Sequence, residues 1–597
     1  MSKYKAVIGV FLLAWILSAT AFADELEDNW GNFLHYTKIG RLDLAKGYAQ
    51  AVLDAEPNAV TILGFVEKNP QAQVLLRKAA ENEHDPQLAE LAGKILAIIE
   101  QGRFVRRSEP AIIAEEIRRL SGTARGRLAA VKRLKNAGEY AIPFMVDAMS
   151  DSARREELPN IVWALPQIGR DAIRPLTAAL QTEDTAVRAE IVKAMGEIGY
   201  PQSLGYLKYV VENDSSAQIR DMAAKSIEQI DPAALVLPAA ELLYRLGEDC
   251  YYHVDSLAPA EDANFGNIWF WDKEGRRLVR QEVDRGYFYE LMAMRSCEWA
   301  LRADAGYGRA IGLWIASFFK AESVGLAMPE YFGAGHASAS VYATTAGPEY
   351  LHQALARAIK DKNGYVALQT IEALAANAGE KSLMYRLETE QPLLAALSFD
   401  DKAVRYSAAI AIAGAGPKET FAENKIVVEN LTQALRENAE SSGEAQGQWS
   451  GQLADSYALR AAEAMLKLAV ERNPVINLAE GESALVDATK DSRVQIKLLA
   501  AQILAYLNSA SAQRAIAAMA LGDENSQEIR ISAFGSLALS AKVNGSLLDD
   551  GQISAIYAIV GSKDADPAVR SAAASAYGAL NLPSQKVKDL ILDQAKS

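Results

Sequence analysis

Between residues 184 and 199 the apolar positions fall at Val187, Ile191, Met195 and Ile198, one stripe at helical spacing. Asp184 stands just ahead of the stripe, where its carboxylate can accept from free N–H groups of the first helical turn. Gly199 follows it, where a left-handed residue ends a helix without Cβ strain. The pattern therefore predicts one bounded amphipathic helix. It recurs as Asp401-x-x-Val404-Arg405 running to Gly416, Asp566-Pro567-x-Val569-Arg570 running to Leu580, and Asp491-x-x-Val494. Ser216-x-x-Ile219-Arg220 and Ser526-x-x-Ile529-Arg530 keep the spacing with a serine cap, and Asp85-Pro86-x-Leu88 opens the same way.

Expected helix ends at Gly138, Gly169, Gly199 and Asp231 recur at intervals of 31, 30 and 32 residues, and the later anchors Leu459, Val494, Ile529 and Val569 at 35, 35 and 40. A second apolar stretch lies between anchors: Ala172–Leu180 parallels Ala141–Met149. Each unit thus reads as a helical hairpin. A hairpin of this size cannot bury its apolar stripe alone, so neighbours stack into an array with a continuous core and a concave face. The expected fold class is all-α: an α-α superhelix with an irregular aromatic insert that includes a short β-hairpin.

D-x-x-V-R opening the second helix, and G-x-x-A-[IV]-x-x-L starting the next unit, resemble the short HEAT repeats of the armadillo-like superfamily, in particular the type named after phycobilisome lyases. The resemblance covers about 85 to 235 and 360 to 595. The Trp30-Gly-Asn-Phe-Leu-His35-Tyr start and the aromatic insert are also similar to secreted HEAT-repeat proteins of planctomycete-type bacteria. It implies a solenoid and says little of activity, because this repeat serves lyases, adaptors and carriers alike.

The recurring Arg188, Arg220, Arg405, Arg530 and Arg570 could form a basic ladder, but the acidic caps four residues earlier and their acidic neighbours offer them partners. A structural role is expected. Charge agrees: 62 Lys and Arg against 76 Asp and Glu leave 597 residues at a net −14, which argues against a nucleic-acid partner.

The N-terminus gives an address. Lys3 and Lys5 precede an apolar run from 6 to 17, and Ala21-Phe22-Ala23 offers small residues before a cut at Ala23/Asp24. A cleaved signal peptide over 1–23 is expected, followed by a helical cap over 24–84, repeats over 85–244, an insert over 245–350 and repeats over 351–597. The mature protein is then periplasmic or secreted, with no transmembrane span after signal cleavage. The polar segment 436–456 reads as an exposed loop.

The insert holds four of the eight Trp, both Cys and two of the five His. Ile268 to Val279 alternates around a Glu274-Gly275 turn, as a short hairpin does. Helices follow at Tyr287–Leu301 and Ala310–Phe319. Because Trp, Tyr and Arg dominate interface energetics, Tyr251, Tyr252, His253, Trp269, Trp271 and Arg295 are the candidate partner-binding residues; the alternative is that they plug a gap between arrays. His253-x-Asp255 could serve a metal or acid–base step, but one such pair is a weak signal and a hydrogen-bonded structural histidine is expected. Cys250 and Cys297 fit either a disulfide in an oxidising compartment or two buried thiols.

The sequence carries no metalloprotease, nucleophile-elbow, Walker or Cys-x-x-Cys motif. No cofactor, metal site or catalytic residue is assigned. The reading is a non-enzymatic scaffold for a protein partner in the cell envelope; the alternative is a lyase or isomerase related to the phycobilisome-lyase proteins, with its ligand site in the insert.

Overall fold

The computed structural model describes residues 25–597 other than 83, 260–263, 378, 439–450, 584, 586–587, 589–590 and 593–597. The expected signal peptide and its expected cut at Ala23 lie outside the described residues. Contacts divide the chain into two compact units, Met1–Met292 with Arg302–Asp304, and Ala293–Leu301 with Ala305–Ser597.

Each unit is built from antiparallel helical hairpins stacked side by side. In the first, helix Thr185–Ile198 packs on Ala217–Ile230, while Leu204–Asn213 packs both on that helix and on Ala239–Tyr251. In the second, Lys402–Ala415, Gly451–Glu471, Val494–Leu504, Gln527–Asn544 and Pro567–Ala579 form the same kind of row. Four helices, at 25–38, Leu42–Asp54, Ala59–Lys68 and Pro70–Ala80, make up the N-terminal segment. Their core includes Trp30, Phe33, Ile62 and Leu76.

The caps do what their spacing predicts. Asp184, Asp401, Asp566, Ser216, Ser526 and Asp85 each accept from a first-turn N–H, and Val187, Val404, Val569, Ile219, Ile529 and Leu88 are buried. Gly199 and Gly416 take φ of 70° and 64° as left-handed helix ends. Close approach of neighbouring helices shows at Gly196, where a Cβ would lie 2.5 Å from Ser226 Oγ. That hydroxyl donates to the Val192 carbonyl at 3.1 Å and ties the two helices.

One copy of the motif departs from the expectation. Asp491 accepts from the Arg493 N–H, as Asp401 does from Ala403, but the helix begins only at Val494. The anchor valine is then 47% exposed, and Ile496 faces inward in its place. At this start Arg493 pairs with Asp491 and Asp455, both at 2.8 Å, and donates to the Glu437 carbonyl at 2.9 Å.

The recurring arginines are structural, through partners the spacing did not reveal. Arg220 donates to the Asp214 carbonyl at 2.7 Å, Arg405 to Phe399 and Asp400 carbonyls at 2.7 and 2.9 Å, Arg530 to Ala520 at 3.1 Å and Arg570 to Ser562 at 3.2 Å. Arg188 donates to the Thr182 carbonyl and pairs with Asp214 at 2.7 Å. Each arginine reaches back to the end of the preceding helix, where carbonyls lack intrahelical partners. The side chain closes its own hairpin.

The expected loop at 436–456 is shorter than predicted on the described residues: helix Asn424–Arg436 ends where expected, but Gly451 already starts the helix that runs to Glu471. Residues 439–450 lie outside the described ones.

Candidate functional site

The hairpin of the insert consists of β1 (Phe265–Asp272) and β2 (Arg277–Asp284), antiparallel, with Trp269 opposite Arg280 and Trp271 opposite Leu278. Asp272 Oδ1 accepts from Glu274 and Gly275 N–H at 3.1 and 3.0 Å; the left-handed position is Arg276, φ 49°, and not Gly275. Two strands alone would be marginal. These pack on helices Ala141–Ser150 and Ile173–Ala179.

Alternation places Asn267 and Trp269 on one face, and both meet the same buried carboxylate. Trp269 Nε1 donates to Glu139 Oε2 at 2.7 Å; Asn267 Nδ2 donates to Glu139 Oε1 and to Tyr140 Oη, both at 2.8 Å. Arg174 pairs with Glu139 at 3.2 Å, while the Arg280 guanidinium donates to Asn267 Oδ1 at 3.0 Å and lies 5.0 Å from the centre of the Tyr140 ring. Burial pushes the Tyr140 phenol up. Glu139 is 7% exposed and Trp269 5%. A buried carboxylate is tolerable when donors surround it, and here the hairpin supplies two of them. Trp269 is therefore an anchor holding the hairpin to the repeats, which corrects its expected role as an outward contact. Trp271 is half-buried.

Tyr251 is fully buried, and Tyr252 meets its ring edge-on at 5.1 Å and stays exposed. His253, at φ 53°, stacks on Tyr289 at 4.6 Å, and its Nε2 lies 2.5 Å from Glu290 Oε1. The carboxylate facing this histidine is thus Glu290, 37 residues on; the Asp255 side chain lies outside the described ones. Arg295 is half-buried on helix Phe288–Ala303. Cys250 and Cys297 are buried thiols, the second of the two alternatives, and no disulfide joins them. Each sits on the apolar side of a helix, and burial pushes the Cys250 thiol up. A cavity of about 20 Å³, lined by Arg174, Tyr206, Cys250, Leu257, Phe288 and Tyr289 among others, has room for little more than a water. Among the described residues no group of three or more His, Cys, Asp or Glu side chains is placed to hold a metal ion.

A larger recess lies elsewhere in the first unit, between helices Ala59–Lys68, Pro86–Ser108, Pro110–Arg119 and Ala124–Ala137. It measures about 610 Å³, and Arg103, Arg106, Arg107 and Arg133 line it with Glu67 and Glu116 over Leu63, Ile112, Ile113 and Leu134. Sequence reasoning missed it, though a signal was present: Arg103 to Lys135 carries ten basic residues and three acidic ones in an otherwise acidic chain.

On helices Ala124–Ala137 and Leu158–Ala164 stands an exposed group: Leu128, and Trp163 with the Arg127 guanidinium 6.0 Å from its ring centre. Trp163 is 45% exposed.

Comparison with known proteins matches residues 142–228 to a family model described as HEAT repeats. Among solved structures the chain is similar to human deoxyhypusine hydroxylase in complex with glycerol, at 13% identity over 82% of this chain and 98% of that one, TM-score 0.19. It is similar to a Kap121p mutant, at 11% identity over 93% of this chain and 56% of that one, TM-score 0.28. Importin beta in an ammonium sulfate condition gives 13% identity over 90% and 75%, TM-score 0.25. No curated protein matches the chain. Among the described residues no helix is long and apolar enough to cross a membrane.

Proposed function

We propose that this protein is a non-enzymatic binding scaffold, exported to the periplasm, whose helical repeats present a surface to a protein partner in the cell envelope. The observation that carries the reading is the exposed Trp163, with Arg127 of the neighbouring repeat against its ring. Tryptophan and arginine are the residue types that most often concentrate interface energy, and this pair lies on rigid helices where its geometry is set before a partner arrives. The Ala21-Phe22-Ala23 cleavage pattern supports the location. The lyase or isomerase alternative placed its ligand site in the insert, where Trp269 is occupied by Glu139 and the cavity beside Cys250 is water-sized.

The test is crosslinking and pull-down from envelope fractions, with mass-spectrometric identification, comparing the wild-type chain with Trp163→Ala. Expected is a defined envelope protein retained by wild type and lost by the variant, with the mature chain beginning at Asp24 in the periplasmic fraction. A partner retained equally by Trp163→Ala, or a chain that stays in the cytoplasm, would overturn it.

A further inference from the structure

We infer that the arginine-lined recess of the first unit is a binding site for a short zwitterionic peptide with apolar side chains. The site is distinct from the Trp163 surface and does not depend on that reading.

The charges argue for an anionic group. Four of the lining side chains are arginines and two are glutamates, in a protein whose overall balance is negative. Arg106 pairs with Glu67, and Arg103 with Glu100 at 2.7 Å, but all four side chains retain about a third to a half of their exposure. Pairs so open to water are weak and exchange readily for a better-placed partner. A carboxylate matches the guanidinium fork in shape and charge, and is the natural competitor.

Glu116 argues against a bare anion. It lines the same recess at 4% exposure; its Oε1 accepts from Arg119 at 3.1 Å and Arg133 at 2.5 Å, and its Oε2 has no hydrogen-bond partner. A buried carboxylate oxygen left without a donor is costly, and its charge repels an anion that carries nothing else. A ligand that brings an ammonium or amide N–H together with its carboxylate serves the arginines and offsets the Glu116 charge at the wall. Leu63, Ile112, Ile113, Leu134 and Ala137 supply an apolar floor for the body between them. At about 610 Å³ the recess falls in the range of small-ligand sites and exceeds what a single amino acid fills.

Isothermal titration of the full chain tests this with four probes: trileucine, its C-terminal amide, its N-acetylated form, and inorganic phosphate. Trileucine is expected to bind, with the amide at least tenfold weaker and the N-acetyl form weaker by a smaller factor. Arg106→Gln, at a half-exposed side chain of the lining, should weaken trileucine about tenfold while leaving the thermal transition in place. Glu116→Gln should narrow the difference between free and acetylated N-termini. Phosphate binding as tightly as trileucine would reduce the site to a general anion patch and overturn the inference. Equal affinity for acid and amide, or no heat with trileucine at millimolar concentration, would overturn it as well.

Discussion

The indole N–H of Trp269 donates to Glu139 Oε2 at 2.7 Å, joining residues 130 positions apart in a buried site. Trp269→Phe keeps most of the ring and removes that donor. A hydrogen bond to a charged group is worth about 1.5–3 kcal/mol, so the variant should lose roughly that much stability. Denaturant titration followed by circular dichroism measures it; a loss under about 0.5 kcal/mol would mean that Glu139 does not need this donor.

The hairpin-closing arginines give a second expectation. Arg405→Ala removes two bonds to the Phe399 and Asp400 carbonyls and should cost about 1.5–3 kcal/mol. Asp401→Ala, which removes only the cap to Ala403 N–H, should cost about 1 kcal/mol. Measured side by side, the arginine variant is expected to be the less stable; the reverse order would assign the turn to the cap.

Gly102 tests the wall of the recess. A Cβ there would lie 2.2 Å from the Ala59 carbonyl oxygen, which belongs to backbone and cannot swing aside. Gly102→Ala must separate helices Ala59–Lys68 and Pro86–Ser108, at a cost of about 1–3 kcal/mol. Trileucine affinity should change with it. A variant as stable as wild type would contradict the packing at this crossing.

His352 sets a pH dependence. It is fully buried, its Nε2–H donates to the Ser382 carbonyl at 2.8 Å, and its Nδ1 has no partner. Burial holds its affinity for protons below the ordinary histidine value of 6.5, outweighing the Ser382 bond. The unfolded chain therefore takes up a proton first as pH falls, and the stability present above pH 6.5 declines below it, toward the lowered folded value. The stability advantage of wild type over His352→Gln should shrink between pH 7.5 and 5.5. A constant advantage across that range would show that the imidazole does not titrate differently in the two states.

Both thiols are enclosed. Cys250 and Cys297 should react with an aromatic disulfide reagent only slowly in the native protein and fully in denaturant. Two rapid equivalents without denaturant would contradict their burial.

Much of the array was readable because its signals are local. Asp184, Asp401 and Ser526 act on N–H groups two or three residues ahead, so spacing alone carries the information. Arg405 was placed in the right class without its partners, since the Phe399 carbonyl becomes an acceptor only when the preceding helix ends there. Val494 misled, because the helix after Asp491 starts two residues later than the other copies do, with Asp491 paired to the Arg493 side chain. The candidate site was harder still. Alternation in β1 put Asn267 and Trp269 on one face, but nothing near them in the chain names Glu139, and Glu290 is one of two acidic residues in its helix, with nothing in the spacing to favour it over Glu298. The recess exists only between four packed helices; its basic residues were visible in the sequence, but their convergence was not.

An array whose members touch only their immediate neighbours can fray one repeat at a time from either end. The carboxylate of Glu139 is held by strand residues that come more than a hundred positions later, so helix Ala141–Ser150 and the hairpin can come apart only together. Hydrogen exchange over these two segments should share one opening rate, giving the first unit an internal block that melts as a whole where a plain stack would unzip.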